Sequence, residues 1–146
     1  MRTTLTWILG LLAAANGLFM LLAPDTWYLI APGVADTGPF NQHFVRDIGC
    51  AFLVSGASLV WFAIDVRARA AALAGAAFIA LHALVHLADA IAGRENLAQA
   101  ARDLPSVYLG AILTLWALWP PSMFAKGESD VQMAHSTATG QVRKRV

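Results

Sequence analysis

Four stretches of this chain carry almost no charge, and they limit its folding options more than any other feature. Leu5 to Ala23 runs 19 residues without Asp, Glu, Lys, Arg or His, and Ile48 to Ile64 runs 17. Ala70 to Ala88 contains only His82 and His86 from that set, and Leu104 to Trp119 contains none. A membrane-crossing helix needs roughly 20 mostly apolar residues, with about 17–25 usual. The last run is slightly short, which tilt or local bilayer thinning accommodates. Buried helices of a soluble bundle would need a polar face to meet water, and these runs have too little of one. Composition agrees: 58% of residues are hydrophobic and 13% charged, against roughly 45–50% and about 25% in soluble domains.

The expected fold is therefore all-α, an antiparallel bundle of four transmembrane helices. Its spans fall at about 5–23, 43–64, 70–92 and 104–120, within a domain covering 1–124. The first run is longer than the apolar core of a signal peptide, about 7–15 residues, and no A-x-A cleavage site ends it. It is expected to stay as a span. Residues 125–146 are polar and weakly patterned, and are read as a disordered tail that includes His135. The single cysteine, Cys50, allows no internal disulfide and no dithiol chemistry. No basic patch with interleaved aromatics points to nucleic acid.

Lysine and arginine in the short loops set orientation. Arg2, Arg67, Arg69, Lys126, Arg143, Lys144 and Arg145 fall on one side, and Arg94 and Arg102 on the other. Both termini are thus expected in the cytoplasm of a bacterial inner-membrane protein. Trp7, Trp27, Tyr28, Trp61, Trp116 and Trp119 lie near span ends, as an interfacial aromatic belt requires. Between Pro24 and Gln42, three prolines and two glycines argue against one continuous helix. "RENLAQAARD" suits a short interfacial helix, with Pro105 at the opening turn of the fourth span. Gly10 and Gly17 are seven apart in the first span, as are Gly49 and Gly56 in the second. Such positions let membrane helices approach closely.

Ionisable residues inside spans are costly and turn inward to pair. At 100° per residue, His82, His86 and Asp89 share one stripe of the third span. His43, Asp47 and Cys50 repeat the i, i+4, i+7 spacing in the second, with Arg46 beside them. If the two spans are antiparallel neighbours, His43 and Asp89 fall near one level, and Asp47 near His86. The sequence thus predicts a shared polar pocket in the outer half of the bundle, with Asn16 at similar depth. Its expected lining is His43, Arg46, Asp47, His82, His86 and Asp89.

Three kinds of chemistry fit that set. His43, His82, His86 and Asp89 are the residue types that ligate a metal or haem iron. Histidine's pKa suits proton transfer or contact with a quinone. In a third reading the network only fixes helix packing, in a non-enzymatic membrane subunit or interaction protein. The implied partners are the lipid bilayer and a membrane or redox protein, and a homo-oligomer is compatible with all three.

The four-span plan and the segment "FVRDIGCAFLVSG", where an arginine opens a glycine-containing helix, resemble the DoxX-like small bacterial membrane proteins. The resemblance covers roughly residues 5 to 120. It implies a membrane subunit, some members of that group being linked to quinone-coupled oxidoreductases. The "LHALVHLAD" file lies outside what that resemblance explains.

Overall fold

The computed structural model describes residues 1–94 and 96–119, and within them every regular element is helical. The tail expected at 125–146 lies outside the described residues. Helix α1 spans Arg2–Leu22. It stops because Pro24 disfavours helical backbone in the residue before it, and Ala23 sits at φ −139° and ψ 62°. The same proline opens the short helix α2, Pro24–Ile30, where a missing N–H costs nothing. A 3₁₀ turn at Val34–Asp36 follows Gly33, whose φ of +82° suits glycine. The first connection is thus broken up, as its prolines and glycines require.

Asn41 caps α3, Gln42–Ile64, by accepting a hydrogen bond from the Phe44 N–H at 3.2 Å. Asp65 ends that helix and caps a 3₁₀ turn, Val66–Ala68, leading into α4, Arg69–Ile91. Gly93, at φ +70°, closes the far end of α4. Asn96 and Gln99 then exchange hydrogen bonds as a capping box, which starts α5, Leu97–Asp103.

The fourth apolar run differs from expectation. No break separates the short connecting helix from the span; α5 continues through a π-helical turn, Leu104–Tyr108, into α6, Leu109–Leu118. Pro105 supplies the reason. It has no N–H for the bond to the residue four back, and its ring crowds that carbonyl. The chain takes an extra residue in the turn, and the Leu109 N–H reaches the Leu104 carbonyl five back. Three helical segments, Arg2–Leu22, Gln42–Ile64 and Val66–Ile91, are long and apolar enough to cross a membrane. They fit an integral membrane protein.

Packing supports that fit, because many large aliphatics face out while small residues make up much of the interior. Leu12, Val54, Leu84, Val85 and Ile112 are all exposed, whereas Ala72, Ala76, Ala83, Ser55 and Thr114 are buried. Only 22% of the most apolar stretch of each long helix is buried. In water such a surface would be an aggregation hazard; in lipid it is the expected outside.

The closest seam joins α1 to α3. Gly10 lies against Gly56 and Val60, and Gly17 against Gly49 and Leu53, so numbers rise along one helix as they fall along the other. A Cβ on Gly49 would sit 2.8 Å from the Met20 Cβ, and one on Gly17 or Gly56 would meet opposing backbone. The two seven-residue glycine spacings are therefore a single interface. On the other face of α3, Ser55 backs onto Gly75 of α4. Leu59, Ala72, Ala76 and Leu118 close the core between α3, α4 and α6.

Candidate functional site

Helix α4 carries His82 and His86 one turn apart, and their rings meet edge to face at 4.8 Å between centroids. Phe52, reaching across from α3, lies edge-on to His82 at 5.2 Å. Phe78, one turn before His82 on α4, stacks on it at 6.1 Å with planes 22° apart. Phe52 and Phe78 also meet edge to face. The result is a file of four rings running along α4 to His86.

At the end of the file, His86 Nδ1 and Asp103 Oδ2 are 2.7 Å apart. Their side chains are only 23% and 13% exposed. An ionised carboxylate accepts but does not donate, so the ring nitrogen facing it bears the proton. Asp103 thereby fixes the His86 tautomer, with the lone pair of the neutral ring on Nε2. The carboxylate stands at the last residue of α5, just before the π-turn.

Other polar contacts hold the connections and the helix ends. Arg102, beside Asp103, reaches Asp36 of the first connection at 3.5 Å and also donates to the Ala98 carbonyl. Asp89, one turn beyond His86, accepts from Arg94 at 2.6 Å. In the first connection, Tyr28 donates to the Gly38 carbonyl at 2.6 Å and packs on Phe40. The Trp27 indole N–H donates to Asn16 Oδ1 at 2.9 Å, tying α2 back onto α1.

The α3 file takes up other tasks. His43 and Asp47 pair along their own helix at 3.4 Å, both well exposed at 89% and 60%. Arg46, expected to line the shared pocket, donates from Nε to the Leu21 carbonyl at 3.2 Å. That carbonyl is among the last in α1, where helical partners run out and the helix dipole is negative, so Arg46 acts as a C-terminal cap. Cys50 is a free, exposed thiol.

The structure thus brings His82 and His86 together, and separately His43 with Asp47. It couples the α4 histidines to Phe52 of α3 and Asp103 of α5. Among the described residues, no three His, Cys, Asp or Glu side chains are grouped so as to hold a metal ion. Sequence reasoning did not pick out Asp103. A signal was available: Asp103 immediately precedes an uncharged run, at the end of the bundle where His86 lies.

Comparison with known protein families, with curated proteins and with solved structures finds no match to this chain.

Proposed function

We propose that this chain is a four-span inner-membrane protein whose His82–His86–Asp103 file, flanked by Phe52 and Phe78, receives a planar, hydrogen-bonding ligand from the lipid phase. A quinone headgroup has that chemistry. The carrying observation is the shielded 2.7 Å contact between His86 Nδ1 and Asp103. An imidazole anchored in this way presents an Nε2 lone pair that accepts from a quinol hydroxyl, and once it has taken that proton it donates to a quinone carbonyl oxygen. The neighbouring aromatic rings suit stacking on a flat headgroup. The DoxX-like resemblance points the same way, through its quinone-linked membrane subunits. In this reading α5, the π-turn and α6 together make the fourth span of an antiparallel bundle. The bias of seven basic residues to two puts both termini in the cytoplasm, and His43, Arg46, Asp47 and Asp89 rim the outer mouth.

The test is a titration of the purified protein in detergent with a short-chain quinone, followed by tryptophan fluorescence. Saturable binding that weakens tenfold or more in His86→Gln and Phe52→Leu is expected. Binding that never saturates, or is the same in both variants, overturns the reading.

A second reading has its own support. His86–Asp103, Arg102–Asp36 and Arg46 with the Leu21 carbonyl each join two different elements. A network that only locks helices in a non-enzymatic subunit would have this form. It predicts that His86→Gln lowers the melting temperature while no quinone binding is found in the parent.

A further inference from the structure

At the other end of α4, roughly 25 Å from His86 at 1.5 Å per residue, Arg2 and Arg69 converge on the C-terminus of α6. Arg2 Nη1 donates to the Trp119 carbonyl, and Arg69 Nη2 to the Leu118 carbonyl at 3.3 Å. The Arg2 guanidinium also sits 5.0 Å from the centroid of the Trp116 ring. Both arginines line a cavity of about 360 Å³, walled by Phe62, Ala63, Val66 and Trp119. Among the described residues, no Asp or Glu lines it and neither arginine is paired with a carboxylate.

Two full positive charges face this cleft, offset among the described residues only by the partial negative charge of one helix end, about half a charge. Each guanidinium has five N–H donors, and the bonds to α6 use one apiece. The remaining donors form forks matched to phosphate oxygens. The apolar walls, at the end of helices that fit a membrane, suit the first methylenes of acyl chains. Basic clefts between membrane helices are known to take anionic headgroups.

We infer that this cleft binds the phosphate of an anionic phospholipid. Free inorganic phosphate shares the oxyanion chemistry but leaves the apolar walls unused. Native mass spectrometry of the full chain, released from detergent containing equal phosphatidylglycerol and phosphatidylcholine, provides the test. Retention of phosphatidylglycerol at least fivefold over phosphatidylcholine is expected, with the preference lost in R2Q/R69Q. R2K/R69K, which keeps the charge but not the fork, should hold an intermediate preference and serves if the glutamine variant does not fold. Millimolar phosphate should leave the lipid adduct in place. Equal retention of the two lipids by the parent, or a preference unchanged in both variants, would overturn the inference. Full displacement by inorganic phosphate would overturn the lipid assignment and leave a free-anion site.

Discussion

At the scale of single residues, the pairing of His86 with Asp103 gives the candidate site its form. Asp103→Asn preserves shape but removes the charge that orients the ring, and hydrogen bonds to charged groups contribute about 1.5–3 kcal/mol. In membranes interhelical contacts average nearer about 0.6 kcal/mol, so a loss of about 1–2 kcal/mol is expected in detergent unfolding. His86→Gln with Asp103→Asn should cost little more than either alone, because both remove one interaction. A second residue-scale effect lies in the connection between α3 and α4. The Arg67 side chain donates to Asp65 at 3.0 and 3.1 Å and its backbone N–H adds another bond, holding the Asp65 carboxyl below its usual range. A carboxyl whose folded value is depressed stabilises above its unfolded pKa, about 3.9, and that contribution is lost as pH falls through the lower folded value. Asp65→Asn should therefore melt below the parent at pH 7, and the gap should close on acidification below about pH 4. Residue types on one helix were legible from spacing alone, as the His82–His86 stripe shows. Partners on other elements were not: Arg46 caps α1 because the α1 C-terminus happens to lie beside it, which no spacing reveals.

At the scale of elements, the α1–α3 seam depends on the absence of side chains. Gly17→Ala or Gly56→Ala would place a methyl against opposing backbone, and overpacking of this kind costs about 1–3 kcal/mol. Gly110 in α6 is the internal control, since a Cβ there meets nothing within 4 Å. Gly110→Ala should be neutral or stabilise by up to about 1 kcal/mol, the helix preference of alanine over glycine. Thermal unfolding of the three variants under one detergent condition checks both signs. The glycine spacing was visible in the sequence, and only the fold could show that the two pairs face each other. The π-turn was hidden for a different reason. Proline inside a helical pattern reads equally as a helix start or a distortion, and the choice depends on whether α5 can continue into α6.

At the scale of the whole molecule, the outward placement of many leucines, isoleucines and valines, over an interior rich in small residues that also holds Leu59 and Leu118, agrees with what composition foretold. Apolar content alone pointed to lipid, because no arrangement of so few charged residues could cover such helices in water. The division of polar groups was less legible. Two stripes of equal period suggested one shared pocket, whereas His43 pairs with Asp47 on its own helix, and His86 and Asp89 pair with Asp103 and Arg94 beyond α4. For orientation, a reporter active only in the cytoplasm, fused after Val146, should be active. Activity instead from a periplasm-specific reporter at that point would invert the topology.

The pairing of α4 with α5 inside the lipid-embedded protein can be read directly from histidine ¹⁵N spectra of the labelled protein in bilayers. His86 is expected to carry its proton on Nδ1 at neutral pH, with a resonance that shifts in Asp103→Asn and stays in place in Asp89→Asn. A His86 signal indifferent to Asp103→Asn would contradict the pairing and, with it, the candidate site.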